Sequence, residues 1–307
     1  MGWLLRSWGC RARRDSEVSA VKTPRFHVTS GEEPLISVIV SVFNGAKTIE
    51  RCIRSVADQT YSRSELIIID GGSTDGTSEI LKASLDRIAY LESGPDRGIC
   101  HAWNKALDHA RGEWIYFLGA DDYLWDQGVL EHMAPQLMLA APNVHVVYGR
   151  VAVVNEKCQV LEMVGRPWED VRRRFRQEMV IPHQGIFHHR DLFHCQRFDE
   201  SFAITGDYEF LLRELGRGEA RFVESVIVAG MQIGGISSSP ARTLGALREM
   251  ARARRKARVG GIPYLWSWTY MKAWMRRILT MLIGDGCSRY LTDVYRRATG
   301  RSPIWTR

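Results

Sequence analysis

Residues 35–42 read LISVIVSV, a run of apolar and small residues rich in β-branched side chains. Such a run is typical of a strand that a parallel sheet buries on both faces. Residues 66–69 (LIII) and 113–118 (EWIYFL) predict two further buried strands, and residues 88–91 predict a shorter one. The first 120 residues therefore contain the strands of one sheet.

The segments between these strands have the spacing of helices, as in residues 46–58 and 99–110. Alternating strands and helices predict an α/β fold with an open, mostly parallel sheet flanked by helices. In such sheets ligands bind beyond the carboxyl ends of the strands. The polar and acidic residues of this half fall at those ends, in residues 41–44, 70–75 and 119–122.

The 307-residue chain has 45% hydrophobic residues, which is enough for one large domain or two small ones. Its six cysteines are scattered without a CxxC pair, so reduced thiols in an intracellular protein are the simplest interpretation. Residues 1–14 lack the continuous apolar segment of a secretory signal. No stretch reaches the ~18 uncharged apolar residues of a membrane-spanning helix.

The net charge of +7 is unevenly distributed. Residues 241–307 carry fifteen lysines and arginines against three acidic residues, or +12, so the rest of the chain sums to −5. A basic segment of this kind predicts an anionic partner. We therefore expect a mobile arm (1–34), a folded α/β domain (35–240, divided into halves 35–125 and 126–240) and a basic, Trp-rich helical tail (241–307).

Asp121 and Asp122 follow a buried strand and precede a predicted helix. Adjacent carboxylates repel each other, so either a cation or an exposed loop must hold them together. The pair therefore predicts a site for a divalent metal, Mg²⁺ or Mn²⁺, and the alternative is an acidic turn that caps the next helix.

Asp70 ends the second strand, where its carboxylate can accept hydrogen bonds from a base or a ribose. Arg97, in the segment GPDRG, is a candidate for pairing with a phosphate, and a solvated turn residue is the alternative. Residues 73–75 (STD) have the chemistry of a helix N-cap, which is the simpler explanation for them.

Four segments in order resemble glycosyltransferase family 2, whose members have the GT-A (Rossmann-like) fold. They are ISVIVSVFNGAKTIERCIRSVADQTY (36–61), ELIIIDGGSTDGT (65–77), SGPDRGICHAWNKAL (93–107) and GEWIYFLGADD (112–122). The pairing of GPDRG with FLGADD is similar to the branch that builds bacterial exopolysaccharide, colanic-acid-type polymers and lipopolysaccharide.

The resemblance implies a role for each matching position. Ser41 and Asn44 would lie near the nucleoside, Asp70 would contact the base or ribose, Asp122 would be the main metal ligand, and Asp121 would lie nearby on the metal or ribose. The chain also departs from the family pattern. Gly71 stands where many relatives carry a second acidic residue in DDGS, and Gly119 stands at the first acidic position of D-x-D-D.

The catalytic base of an inverting transferase must come from the second half of the chain. The resemblance places it at the start of a helix in SFAITGDYEFLLREL (201–215), which makes Asp207 the candidate and Glu209 the fallback. A carboxylate at a helix N-terminus stays ionised at neutral pH, as a base must, although an N-cap role is the alternative. His183 and Gln184, in PHQGIF, resemble a segment that lines the acceptor or diphosphate side, and a structural role is equally open for His183.

The C-terminal residues 264–283 combine tryptophans with cations at helical spacing. Aromatic residues and cations on an amphipathic helix suit the interface of a bilayer, and a helix packed on the catalytic domain is the alternative. This pattern predicts a cytoplasmic protein that binds peripherally to the anionic inner face of the cell membrane.

We therefore expect an inverting glycosyltransferase that moves a sugar from a nucleoside-diphosphate donor to a lipid-linked or saccharide acceptor in bacterial surface polysaccharide synthesis. Two alternatives remain open. One is a nucleotide-sugar-binding protein that has lost turnover, and the other is a sugar-phosphate nucleotidyltransferase. The latter needs a Gly-rich basic loop after the first strand, and residues 44–47 (NGAK) are too short for it. Nucleic-acid binding is not expected.

Overall fold

Four parallel strands form one side of the sheet. In the computed structural model they are β1 (Ile36–Val42), β2 (Ser64–Asp70), β3 (Tyr90–Ser93) and β4 (Trp114–Gly119), in the order β3-β2-β1-β4. Asp70 lies opposite Val42 and Gly119 lies opposite Ser41, so the carboxyl ends of the strands are aligned. The predicted parallel half of the sheet is confirmed, and its polar strand ends meet at one edge.

Three helices, α1 (Ile49–Ala57), α2 (Thr77–Ala83) and α3 (Ile99–His109), connect these strands. The predicted apolar side of α1 is buried in the core on one face of the sheet. This helix begins at Ile49, three residues later than predicted. The amides before it, those of Gly45 and Ala46, instead donate to the side chains of Thr77 and Asp75, which ties the loop to the start of α2.

The second half of the chain completes a nine-stranded sheet in the order β3-β2-β1-β4-β8-β6-β9-β5. Strand β7 pairs with residues 151–154 of β6, beyond the residues 146–148 that pair with β8. Strand β8 runs antiparallel to both β4 and β6 and joins the two halves. The new elements are β5 (Tyr123–Leu124), α4 (Val129–Ala140), β6 (Val146–Val154), β7 (Val160–Val164), α5 (Trp168–Phe175), β8 (Ile186–His189), α6 (Gly206–Leu215) and β9 (Ala220–Gln232).

The two-residue strand β5 directly follows Asp122 and pairs with the end of β9, with Tyr123 opposite Gly230. A Cβ atom on residue 230 would lie 2.3 Å from the Tyr123 ring, so only glycine permits this approach. The pairing places Gln232, the last residue of β9, beside Asp121 and Asp122.

Two elements of the second half were not among those predicted. A 3-10 turn, His183–Gly185, directly precedes β8. Helix α5 was not predicted, because its eight residues offer only Trp168, Val171 and Phe175 as buried positions.

The structure describes residues 33–194, 196–216, 218–234, 240–259 and 264–298, so most of the predicted arm (1–34) lies outside it. Within the tail, α7 (Pro240–Lys256) packs on α6, with the Arg252 guanidinium 3.8 Å from the centre of the Phe202 ring. Helix α8 (Tyr264–Ala298) is interrupted at Gly284, which has a φ of 79°. Among the described helices, none combines the length and the apolar character needed to cross a bilayer.

Candidate functional site

The carboxylates of Asp121 and Asp122 lie just beyond the last residue of β4. The turn is closed by the Asp122 amide, which donates to the Gly119 carbonyl. Asp122 is only 2% exposed, and its Oδ1 accepts a hydrogen bond of 2.8 Å from the Gln232 amide. A Cβ atom on residue 119 would lie 2.5 Å from Asp122 Oδ2. The Asp122 carboxylate therefore occupies the space that a side chain at position 119 would need.

Burial and mutual repulsion oppose the ionisation of this pair. Burial, followed by the charge of Asp121, raises the pKa of Asp122 to about 7. Burial also raises the pKa of Asp121. The Gln232 amide, the Gln184 side chain and the Arg51 guanidinium stabilise the ionised form of Asp122 and limit the rise of its pKa.

Arg51, on α1, is the cation beside the acidic pair, and no sequence motif indicated it. Its Nη2 donates to the Asp121 carbonyl and to Gln232 Oε1, both at 2.7 Å. Its guanidinium also lies 4.8 Å from the centre of the Tyr123 ring. Arg51 therefore links α1, the acidic turn and the end of β9.

The predicted nucleoside side forms a second group at the ends of β1 and β2. Asp70 is fully buried, and its carboxylate accepts hydrogen bonds from the hydroxyls of Ser73 and Ser93 at 2.5 and 2.6 Å. Asn44 has a φ of 54°, and its Oδ1 accepts from the Thr74 amide. Among the described residues, Ser41 Oγ is buried without a hydrogen-bond partner. The buried Asp70 carboxylate thus connects the loop after β2 with the end of β3.

Phe43 and Asp96 lie at the surface of this loop, and the sequence interpretation missed both. The Phe43 side chain is 66% exposed although it directly follows a buried strand. A Cβ atom on Gly71 would lie 3.3 Å from the Phe43 ring and 2.7 Å from Asp96 Oδ2. Gly71 therefore leaves room for an aromatic face and a carboxylate to lie side by side, and the exposed aromatic after β1 was the available signal.

Arg97 joins the loop after β3 to the second half of the chain. Its Nη2 pairs with Glu200 Oε2 at 2.5 Å, although its side chain is 69% exposed. Glu200 also accepts a hydrogen bond from Asn104. The predicted contact between Arg97 and a phosphate stays a prediction.

Asp207 lies in the first turn of α6 and is half-buried, with its Oδ1 accepting from the Tyr208 amide at 2.7 Å. The preceding residue, Gly206, packs directly against Cys100. A Cβ atom on residue 206 would lie 2.1 Å from the Cys100 sulfur, which leaves no room for a larger side chain. Glu249, on α7, accepts hydrogen bonds of 2.9 Å from three successive backbone amides, those of residues 203–205. Glu249 thereby fixes the N-terminus of α6, a role that no sequence motif indicated.

The turn His183–Gly185 connects Asp207 with the acidic pair. The Gln184 side chain hydrogen-bonds to Asp122, and the Gln184 carbonyl accepts from the Tyr116 hydroxyl at 2.7 Å. The buried His183 ring lies near Trp103, and burial lowers its pKa while the charge of Asp207 opposes that shift. Adjacent residues of one turn therefore face the two predicted functional carboxylates.

Glu209, the fallback base, has its carboxylate in a structural ion-pair network. It is 1% exposed, and its Oε1 lies 2.9 Å from Arg213 Nε and 2.8 Å from Lys256 Nζ. These contacts connect α6 with the end of α7.

A separate group of potential metal ligands among the described residues lies at the other end of β4. It consists of His145, His189 and Asp191, whose ligand atoms lie within 4.8 Å of one another. Since His189 pairs with Trp114, the first residue of β4, this group is remote from the acidic turn that follows Gly119.

Comparison with known proteins identifies the family. The sequence profile of "Glycosyl transferase family 2" matches residues 37–198, which is more than half of the chain. The chain belongs to glycosyltransferase family 2. The match covers the acidic pair, the loop of Asp70 and the turn at His183, so the predicted family is confirmed and the protein is a glycosyltransferase.

Several relatives are bacterial glycosyltransferases. The chain is 29% identical over 212 residues to the "PGL/p-HBAD biosynthesis glycosyltransferase" of Mycobacterium bovis, covering 67% of this chain and 80% of that protein. It is 34% identical over 134 residues to the "UDP-Glc:alpha-D-GlcNAc-diphosphoundecaprenol beta-1,3-glucosyltransferase WfgD" of Escherichia coli, covering 43% of this chain and 52% of the relative.

Solved structures show the GT-A fold of this family 2 member. The mannosyltransferase PcManGT of Pyrobaculum calidifontis, solved with GDP-Man and Mn²⁺, matches with a TM-score of 0.59 at 19% identity, covering 92% of this chain and 85% of that one. Residues 1–349 of S. aureus TarS, solved with UDP-GlcNAc, match with a TM-score of 0.56 at 18% identity, covering 71% and 66%. The predicted GT-A fold is confirmed.

We expect the Asp122→Asn substitution to stabilise the metal-free glycosyltransferase at pH 8. The pKa of Asp122 is about 7 in the folded chain against 3.8 ordinarily, so ionising it costs folding free energy above pH 7. One pKa unit is worth about 1.4 kcal/mol, so we expect a gain of roughly 1–3 kcal/mol in the free energy of unfolding. The gain should shrink as the pH falls from 7 towards 4 and vanish only below about pH 3, where the carboxyl is protonated in both the folded and the unfolded chain.

Urea unfolding in EDTA at several pH values measures this effect, with Asp58→Asn, at the exposed residue that directly follows α1, as the control. A gain that does not depend on pH, or a loss of stability at pH 8, would show that ionisation of Asp122 does not destabilise the folded chain.

Proposed function

We propose that the protein is an inverting glycosyltransferase. It transfers a sugar from a nucleoside-diphosphate donor to a lipid-linked or saccharide acceptor in bacterial surface glycan synthesis. The observation that carries this proposal is the turn His183–Gly185, whose side chains face the acidic pair on one side and Asp207 on the other. Neighbouring residues of this turn thus link the acidic pair, where the donor diphosphate would bind, to a half-buried carboxylate.

A divalent cation fits the acidic turn. Asp121 and Asp122 offer hard oxygen ligands, and burial raises the pKa of both carboxyls, with the charge of Asp121 adding to the rise at Asp122, so a bound cation would favour their ionised forms. Oxygen ligands of this kind suit Mg²⁺ or Mn²⁺, with Asp122 as the principal ligand and Asp121 beside it. The bound cation supplies charge neutralisation for the departing diphosphate.

The nucleoside lies in the loop group at the ends of β1 and β2. The exposed Phe43 ring offers a face on which a base stacks, and the neighbouring Asp96 carboxylate accepts hydrogen bonds from base or ribose donors. Asn44 and Ser41 lie in the same strand end, and Asp70 holds the loop in place from below. Support for a nucleotide donor also comes from relatives and neighbours whose names include UDP-Glc, UDP-GlcNAc and GDP-Man.

Asp207 acts as the general base. Its carboxylate removes the proton of the acceptor hydroxyl while that oxygen attacks the anomeric carbon, and the bond between this carbon and the diphosphate oxygen breaks. Attack from the face opposite the leaving diphosphate inverts the configuration. Glu249 positions this base because it holds the three amides that precede α6. The charge of Asp207 acts on the buried His183 ring, which supports a position for His183 on the acceptor side.

A lipid-linked acceptor accords with the exposed surface of α8. Met271, Trp274, Met275 and Leu282 are all more than 40% exposed. Within residues 264–283, the side chains of Trp268 and of the cations Lys272, Arg276 and Arg277 lie outside those that the structure describes. An exposed aromatic and apolar stripe on a basic helix suits the interface of an anionic bilayer, on the cytoplasmic side where nucleotide sugars are available.

We expect Asp207→Asn to abolish sugar transfer while nucleotide binding stays intact, because it removes the proton acceptor without touching the donor site. A general base contributes roughly 10²–10⁴-fold to a rate. Release of the nucleoside diphosphate measures transfer and calorimetry measures donor binding, with Asp108→Asn on the exposed side of α3 as the control.

Transfer by Asp207→Asn at the rate of the unsubstituted enzyme would refute the base assignment. Donor binding without any transfer by the unsubstituted protein would favour the alternative of a binding protein that has lost turnover.

We expect the protein to float with vesicles that contain anionic lipid, and salt should weaken this binding. Met275→Glu with Leu282→Glu should reduce binding at least about tenfold, because both side chains are exposed and the new charges oppose insertion of the stripe. Met138→Glu with Leu139→Glu makes the same change at exposed positions of α4 and should have no effect. Equal binding to neutral vesicles, or binding unaffected by the α8 substitutions, would refute membrane docking through α8.

A further inference from the structure

We infer that His145, His189 and Asp191 form a binding site for Zn²⁺, separate from the acidic pair. Each residue offers one ligand atom, and these atoms lie within 4.8 Å of one another. We call this group the histidine site. His189 pairs with Trp114, the first residue of β4, so the site lies at the end of that strand opposite to the acidic turn. It does not depend on the proposed transferase reaction.

The backbone brings the two imidazole rings together. His145 directly precedes β6, and His189 is the last residue of β8, which runs antiparallel to β6. The His189 amide donates to the His145 carbonyl at 2.8 Å. The rings lie stacked, with their centres 5.0 Å apart and their planes 19° apart. Two adjacent strands therefore fix the positions of both histidines, as a preorganised metal site requires.

A hydrogen bond determines which nitrogen of His145 has a free lone pair. Its Nε2 lies 3.0 Å from the Pro142 carbonyl. Because a carbonyl oxygen can only accept, this nitrogen carries the proton, and in the neutral ring Nδ1 keeps its lone pair. Histidines that bind metals usually donate their other ring N–H to a carbonyl or a carboxylate in this way. Nδ1 of His145 is thus the nitrogen available to a cation.

The separation between His189 and Asp191 is that of two ligands on one zinc ion. His189 Nδ1 lies 3.4 Å from Asp191 Oδ2. Two atoms at bond lengths of about 2.0–2.1 Å from a tetrahedral Zn²⁺ lie roughly 3.3–3.4 Å apart. The Asp191 amide also lies 3.4 Å from His189 Nδ1, which is long for a hydrogen bond. An ion between the two side chains would therefore replace a weak contact by two bonds.

Charged and polar side chains lie behind these ligands. Glu113 Oε1 lies 3.7 Å from Nε2, the other ring nitrogen of His189. His194 Nδ1 lies 3.5 Å from Oδ1, the other carboxylate oxygen of Asp191. Carboxylates beside ligating histidines, and polar partners of ligating carboxylates, are the usual surroundings of a metal ion. Asp191 and Glu113 together also supply two negative charges to balance those of the cation.

The ligand types favour Zn²⁺ over the cations proposed for the acidic pair. Imidazole nitrogen suits zinc, whereas Mg²⁺ and Mn²⁺ prefer oxygen ligands. Three protein ligands leave the fourth tetrahedral position to water. The Asp191 side chain is 52% exposed, which gives the ion a path from solvent and leaves room for that water.

An ion in the histidine site would tie the segment after β8 to the sheet. Asp191 lies in the 3-10 turn Arg190–Phe193. The Phe193 ring of the same turn stacks on the Phe210 ring of α6, with their centres 4.9 Å apart. Because an ion that binds only the folded chain stabilises it, Zn²⁺ should make the protein harder to unfold.

The test is calorimetric titration of the full chain with Zn²⁺, in proteins that all carry Asp122→Asn to weaken binding at the acidic pair. The site variant, His145→Gln with Asp191→Asn, removes two ligands. The control, His132→Gln with Asp86→Asn, makes the same changes at exposed positions of α4 and of the turn after α2. We expect one Zn²⁺ per chain, bound at least about tenfold more weakly by the site variant and equally by the control.

Urea unfolding gives a second measurement, because excess Zn²⁺ should raise the midpoint of the parent and the control but not that of the site variant. Unfolding in EDTA checks that the variants fold, and Asp191→Asn alone, at a half-exposed position, replaces the double variant if that one does not. X-ray absorption at the zinc edge should show nitrogen and oxygen ligands.

No Zn²⁺ binding by the parent, unchanged affinity in the site variant, an equal loss in the control, or sulfur ligands in the absorption spectrum would overturn the inference. Since donor and acceptor are absent from these measurements, failure here leaves the proposed transferase function untouched.

Discussion

Two adjacent carboxylates at a buried strand end, Asp121 and Asp122, form the constraint on which the site depends. Burial and mutual repulsion oppose their ionisation, and the surrounding chain provides the compensation that proteins use for buried charge, namely an amide, a side-chain hydrogen bond and a nearby guanidinium. These partners come from β9, from the turn before β8 and from α1. The position of the acidic pair therefore requires both halves of the sheet, and a cation would complete the compensation.

The second half of the chain extends the same arrangement to the surroundings of Asp207. The turn at His183 and Gln184 spans from Asp122 to the neighbourhood of Asp207, while Glu249 on α7 fixes the backbone before α6. Helix α7, in the predicted basic tail, is thus tied to the start of α6. Helix α8 presents the exposed apolar side chains proposed for the membrane.

The sequence predicted the parallel strands and the family because long apolar runs and ordered motifs are local signals. It did not predict Arg51, Gln232 or Glu249, since each acts through contacts across more than 40 positions of the chain. Phe43 carried a local signal, because this aromatic residue stands directly between the buried strand and Asn44 at the predicted ligand edge. The structure also explains why glycine occupies position 119, where many relatives carry an acidic residue. The Asp122 carboxylate fills the space that a side chain at position 119 would need.

Binding of Mn²⁺ tests the central claim most directly, measured as the loss of the free-ion signal in electron paramagnetic resonance with a nucleoside diphosphate present. The account predicts one bound ion per chain, affinity at least about tenfold weaker in Asp122→Asn, a smaller loss in Asp121→Asn and none in Asp207→Asn. Unchanged affinity in Asp122→Asn, or affinity abolished by His189→Ala at the far end of β4, would contradict it.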